Sequence, residues 1–184
     1  MTNQGRTMKK EELTPEELIQ FDNHETRPDL AGEHLKGDFY QLLEMAAFLL
    51  VTLVDYFLLR VPQAFQNFIS IWLRIPIAMS IVSVGGWLAL YGIHMVFGEY
   101  RREPVFIKEG MFGYVRHPIY LGAILVYLGI LVLTLSPLAF LVWLGAIYLY
   151  YRLSTYEEKR LIELFGDAYR DYQAKVPMMF PRFK

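Results

Sequence analysis

The sequence predicts an all-α, polytopic integral membrane protein of about four transmembrane helices, with a terminal helical hairpin and cytosolic C-terminal helices. Three observations predict it. Of 184 residues, 54% are hydrophobic and 16% aromatic, with a mean hydropathy of +0.26, whereas soluble domains are roughly 45–50% apolar. Residues 39–59 and 75–97 are apolar with few charges and reach the about 20 residues that a helix needs to cross the hydrocarbon core. Residues 118–135 and 137–151 are shorter, hold no charge and are separated only at Ser136-Pro137, which predicts two helices folded back on one another.

The same composition narrows the function. A net charge of −1 lacks the basic footprint of a nucleic-acid partner. Without cysteine there is no disulfide, thiolate metal site or cysteine nucleophile. The four histidines are scattered, and no metal site is expected.

Taken in order, residues 1–38 carry nine acidic and five basic side chains and no apolar stretch. They read as a mobile cytosolic tail rather than a signal peptide, ahead of a membrane domain over 39–184. Within the tail, Thr14-Pro15-Glu16-Glu17 predicts a short helix over 15–21, with Thr14 as N-cap, Pro15 at the first helical position and Glu17 closing a capping box. The first span, 39–59, contains Glu44 and Asp55, ionisable groups that are costly in a membrane and read here as snorkelling or paired. Over 61–73, Gln63, Gln66, Asn67 and Ser70 alternate with Phe65, Phe68, Ile69 and Trp72, the spacing of an amphipathic interfacial helix; the alternative is an irregular loop. In the second span, 75–97, Gly85-Gly86 suits close helix packing, and His94 near its end reads as a packed, hydrogen-bonded histidine.

After the hairpin of spans 118–135 and 137–151, the last helix continues past Tyr151 into water over 152–165, a stretch with neither Pro nor Gly. Gly166 ends it, and Asp167 caps a further helix over 167–175 that stops before Pro177. Lys and Arg are frequent in the tail, in the 98–117 loop and after Tyr151. With four spans, the positive-inside rule puts these stretches and both termini in the cytoplasm, leaving Arg60, Arg74 and the Ser136-Pro137 turn outside.

The chemistry-bearing residues fall in two clusters. Lys108-Glu109-Gly110-Met111-Phe112-Gly113-Tyr114-Val115-Arg116-His117-Pro118 is polar and leads into the third span. Pro118 suits a first helical turn, and a helix start beside Arg116 is suited to an anionic ligand group. The competing role for Arg116-His117 is a cationic anchor at the membrane surface. Glu157 and Glu158 follow the fourth span by one to two turns, so the hairpin brings them near Arg116 and His117. Adjacent helical carboxylates point about 100° apart, so one can face a pocket while the other pairs with Lys159 or Arg160. An ordinary solvated charge run is the alternative.

Gly110-Met111-Phe112-Gly113-Tyr114-Val115-Arg116-His117-Pro118-Ile119-Tyr120-Leu121-Gly122, then Glu157-Glu158, Leu161, Phe165-Gly166, Tyr169, Tyr172, Pro177 and Pro181, resembles the isoprenylcysteine carboxyl methyltransferase family. It is similar also to the related membrane phospholipid methyltransferases. The resemblance covers roughly residues 85–183, and Met111 stands where the family commonly has Pro. It implies methyl transfer from S-adenosylmethionine to a lipidic or prenylated acceptor among membrane lipids, with carboxylate O-methylation favoured and phospholipid amine N-methylation as the alternative. It further implies a cofactor site of Lys108, Glu109, Gly110, Arg116, His117, Pro118, Tyr120, Gly122, Glu157 and Glu158, in which His117 and Glu158 are the candidate catalytic groups. Phe112, Tyr114 and Tyr120 are available for stacking on adenine. Two readings compete: an NADPH-dependent sterol-type reductase drawing on Arg101, Arg102 and Lys108, and a scaffold without turnover.

Overall fold

The computed structural model describes residues 8–22, 27, 36–65 and 68–180. Their regular structure is helical: α1 Pro15–Asp22, α2 Gly37–Leu53, α3 Ile71–Phe97, α4 Pro118–Thr134, α5 Pro137–Phe165 and α6 Asp167–Lys175. The chain divides into two compact units, an apolar one of Lys36–Ala89 and Ile119–Leu153 and a more polar one of Met1–Leu35, Leu90–Pro118 and Ser154–Lys184.

Three helices are long and apolar enough to cross a membrane: α2 with its π-helical extension, Gly37–Leu59, then α3 and α5. The fourth, α4, has 17 residues, a length of about 26 Å, close to the lower limit for a span. The helix expected over 152–165 continues the last span without a break, α5 running from Pro137 to Phe165.

Inside the apolar unit, α3 and α4 meet backbone to backbone. A Cβ on Gly85 would lie 2.7 Å from the Gly122 carbonyl oxygen, and one on Gly122 would lie 2.6 Å from that of Gly85. One helical stretch further along, a Cβ on Gly129 would fall 3.0 Å from the Ala78 carbonyl oxygen. Small residues permit this approach, which membrane helices use in place of a hydrophobic drive. Gly86, its predicted companion, has nothing within 4 Å of its Cβ position. Large side chains elsewhere point outward, with Leu50 62%, Leu58 75% and Leu141 63% exposed, as lipid-facing positions require.

Most polar groups described in the spans find protein partners, the oxygens of Glu44 and Asp55 Oδ1 being buried exceptions. Thr52, Ser80 and Thr134 donate to the carbonyls of Phe48, Pro76 and Ile130, four residues earlier, and Trp143 Nε1 donates to Ile124 O at 3.0 Å. Asp55, fully buried, is paired as expected: its Oδ2 accepts from Ser136 Oγ and from Leu138 N at the start of α5. Arg74 Nη1 donates to Leu133 O at the end of α4, at 2.7 Å. An anion thus meets a helix N-terminus and a cation a helix C-terminus, the arrangement the helix dipole favours.

Two expectations need correction. The interfacial helix over 61–73 is not one element. A 3-10 turn, Val61–Ala64, follows Arg60 in a left-handed conformation (φ 57°), and α3 begins at Ile71; Gln66 and Asn67 lie outside the described residues. The expected mobile tail lies partly outside them too, but residues 8–22 fold against the stretch after α3. Met8 and Tyr100 exchange backbone hydrogen bonds, Gln20 accepts from the Tyr100 hydroxyl, and Arg102 pairs with Glu17 at 2.7 Å. Glu17 also closes the predicted capping box with Thr14.

The contrast between neighbouring glycines is testable. Gly85→Ala should cost about 1–3 kcal/mol through overpacking against backbone, whereas Gly86→Ala should be neutral or stabilise by about 0.5–1 kcal/mol. Denaturant unfolding in mixed micelles distinguishes the two.

Candidate functional site

The polar loop before α4 is shaped by Gly110, whose φ of +56° is left-handed. That conformation favours glycine, and a Cβ there would also lie 2.7 Å from the Tyr91 hydroxyl, the tip of a side chain that would have to shift. A 3-10 turn, Gly110–Gly113, follows, with Phe112 buried and its carbonyl accepting from the Tyr172 hydroxyl of α6 at 2.6 Å. Tyr114 and Val115 both donate their backbone N–H groups to Met111 O. Next, Arg116 N and His117 N donate to Pro177 O and Met178 O, each at 3.0 Å. The chain after α6 is therefore tied by backbone hydrogen bonds to the two residues that precede α4.

On this frame sits a cluster of four ionisable side chains. Arg116 Nε and Nη2 hold the two oxygens of Glu158 at 2.7 and 3.1 Å, a bidentate pair whose side chains are 9% and 7% exposed. Arg116 Nη1 donates to the carbonyls of Gln173 and Val176. The His117 ring lies between the two glutamates, with Nε2 3.2 Å from Glu158 Oε1 and Nδ1 3.4 Å from Glu157 Oε2. Gln173 Nε2 donates to Glu158 Oε2 at 2.6 Å. Behind α6, Tyr169, Tyr172 and Val176 form a core with Phe106, Leu161, Ile162 and Phe165. Gly166, at φ 55° and ψ −128°, makes the sharp break between α5 and α6 that permits it.

Burial works against charge on His117, but hydrogen bonds and charge from Glu157 and Glu158 prevail and raise its pKa above the ordinary value. For Glu158 burial is likewise the largest influence and an opposing one. The hydrogen bonds and charges of His117 and Arg116 prevail and lower its pKa. The cluster therefore interleaves two basic side chains with two acidic ones, and each of His117 and Glu158 shifts the other toward its charged form.

Arg116, His117, Glu157 and Glu158 are thus brought together as the hairpin argument requires, with a different division of labour. Glu157 and Glu158 both face His117, and Arg160 pairs with Glu163 instead. The N–H groups of 116 and 117 and most of the Arg116 donors are spent on protein partners, so these groups form an internal clamp. Pro118 is buried, while Lys108, Glu109 and Gly110 are exposed. Tyr120 and Gly122 belong to the apolar unit, where Tyr120 stacks on Tyr150 with centroids 5.1 Å apart and Gly122 packs on Gly85. Of the three aromatics expected to stack on a ligand, Tyr114 is exposed, at 70%. His94 is exposed at the end of α3 rather than packed. Sequence reasoning missed Gln173 and the carbonyls of 176–178, for which the one signal was the helical spacing of Tyr169, Tyr172 and Val176, the apolar face that docks this segment.

Comparison with known proteins places this geometry. The chain is 32% identical over 123 residues to methanethiol S-methyltransferase 1 of Bradyrhizobium diazoefficiens, covering 58% of this chain and 42% of that protein. It is 31% identical over 90 residues to the protein-S-isoprenylcysteine O-methyltransferase of Schizosaccharomyces pombe, covering 48% of this chain and 38% of that one. The chain thus spans about two fifths of the length of these curated relatives. Its fold is similar to that of a eukaryotic intramembrane Ras methyltransferase, isoprenylcysteine carboxyl methyltransferase, with a TM-score of 0.58 at 21% identity over 77% of this chain and 52% of the other. With three helices of membrane-crossing length and this fold, it is an integral membrane protein. The model of the phospholipid methyltransferase family matches residues 70–168, which is more than half the chain and includes both halves of the ion cluster. The chain belongs to the phospholipid methyltransferase family.

Proposed function

We propose that this protein transfers a methyl group from S-adenosylmethionine to a lipidic or lipid-attached acceptor held in the membrane. The observation that carries the proposal is the Arg116–Glu158–His117–Glu157 cluster, built from the family-matched stretch; Tyr114, two residues before Arg116, is exposed. Bound there, S-adenosylmethionine would supply a methyl group on a positive sulfur, and a nucleophile aligned behind it needs chiefly positioning and dryness. The residues fit such a ligand. Glu157, with 15% of its side chain exposed, is placed to receive an ammonium group or ribose hydroxyls, and Tyr114 offers a ring face. Arg116 and His117 keep the carboxylates oriented, acting as positioning residues.

This reading refines the acceptor as well. An imidazolium whose two ring nitrogens both face carboxylates has no lone pair for a proton, and Glu158 is committed to Arg116, His117 and Gln173. Neither is placed as a general base. A carboxylate acceptor needs none, because its oxygen attacks the methyl carbon as the carbon–sulfur bond breaks and no proton moves. The cluster therefore favours carboxylate O-methylation over methylation of an ammonium group, which must first lose a proton. In the membrane, α4 completes four spans and both termini face the cytoplasm, on the distribution of Lys and Arg.

Equilibrium binding of S-adenosylmethionine to detergent-solubilised protein tests the proposal, and wild-type protein without detectable binding would sink it. Arg116→Ala leaves a buried carboxylate without its main partner. It should lose roughly 3–5 kcal/mol of stability and at least about tenfold in affinity, which corresponds to about 1.4 kcal/mol.

Stability should also follow pH with a definite sign. Glu158 contributes fully above its ordinary value of 4.5 and loses that contribution as pH falls through its lower folded value. His117 contributes fully below its ordinary 6.5 and loses it as pH rises through its raised folded value. Their joint contribution is therefore largest between 4.5 and 6.5 and declines on both sides. Thermal unfolding across pH should show His117→Gln without the alkaline decline.

A further inference from the structure

Ser154 is fully buried within α5, and its hydroxyl has no hydrogen-bond partner. That is unusual on this molecule's own terms, because Thr52, Ser80 and Thr134 each donate to the carbonyl four residues earlier. A helical hydroxyl that forgoes this bond and is also shut off from water leaves its donor and acceptor capacity unmet. Such groups are few in folded proteins, and each calls for a partner.

Its position says where the partner lies. Ser154 precedes Glu157 by three residues and Glu158 by four, so all three share one face of α5, one turn apart. It belongs to the same compact unit as Arg116, His117 and both glutamates. Among the described residues, the other buried side-chain oxygens without partners are on Glu44 and Asp55, both in the apolar unit. Ser154 is the one on the face that carries the ion cluster.

We infer that Ser154 is a binding residue for the methyl donor, its hydroxyl hydrogen-bonding a polar group of the ligand that lies along α5 from Glu157 toward the membrane. The inference rests on the function proposed above and adds a contact to it. The hydroxyl both donates and accepts, which suits a ribose hydroxyl or the amino-acid end of the ligand. Because the bond exists only when ligand is bound, the residue contributes affinity and nothing to the stability of the ligand-free fold.

That asymmetry is the test. Binding of S-adenosylhomocysteine, which has the same polar ends without the reactive methyl, is measured by calorimetry on the full chain in detergent, alongside thermal unfolding without ligand. Ser154→Ala should weaken binding by about three- to tenfold, while its ligand-free melting temperature stays at or above that of the wild type. Ser154→Cys, close in shape but a weak donor, should bind with intermediate affinity and so separate the lost bond from a packing defect. Affinity for Ser154→Ala within about twofold of wild type overturns the inference alone. So does a ligand-free melting temperature that drops together with affinity, which marks a structural role. Wild-type protein that binds neither S-adenosylhomocysteine nor S-adenosylmethionine removes the functional reading together with this contact.

Discussion

The bidentate pair between Arg116 and Glu158 is the constraint on which the polar unit depends. One guanidinium grips a carboxylate on α5 and the carbonyls of Gln173 and Val176 at the end of α6, so three segments far apart in sequence share one anchor. Arginine suits this role because its planar fork presents several donors at once, where lysine offers a single point of charge. A pair this buried repays its dehydration only when its remaining hydrogen-bonding capacity is met. Here Gln173 and His117 take up what Arg116 leaves of the Glu158 oxygens. His117 thereby lies between two glutamates, which raise its pKa above the ordinary value.

The apolar unit is organised by a different force. Lipid offers no hydrophobic incentive for helices to associate, so contact depends on close approach and on polar groups with nowhere else to go. Gly85 and Gly122 provide the first, and Asp55 and Arg74 provide the second at the turn between α4 and α5. The two units thus divide the physics of the chain: shape holds the one, and charge with hydrogen bonding the other.

How much of this could be read beforehand follows the same division. Apolar length located the helices, and two uncharged segments meeting at Ser136-Pro137 were enough to set Arg116-His117 near Glu157-Glu158. Local rules also sufficed for Thr14 and Glu17, whose capping box spans one turn. Partnerships across long separations were beyond reach. No periodicity tells that Gln173 and the 176–178 carbonyls close on Arg116, or that both glutamates face His117 while Lys159 and Arg160 take no part. The 61–73 stretch misled because its alternation was read without weighing Arg60 and Pro62, which stop one helix and delay the next. Gly122, carried over with the motif, has a packing role that the motif did not reveal: it lies against Gly85. The 8–22 segment looked too polar to order itself, and it does so by leaning on Tyr100 and Arg102, partners that composition does not reveal.

The charged side chains at the α4–α5 turn bear on how the protein is made. Asp55 and Arg74 come from stretches that precede the hairpin in the sequence, whereas the helix ends they neutralise are synthesised some sixty to eighty residues later. Translation therefore delivers the counter-charges before the dipoles that need them. The hairpin, which has no Asp, Glu, Lys, Arg or His of its own between Pro118 and Tyr151, draws the partners of its helix ends from earlier in the sequence. The order of the genetic message and the order of electrostatic need coincide, so the least polar part of the chain can be the last of its spans to assemble.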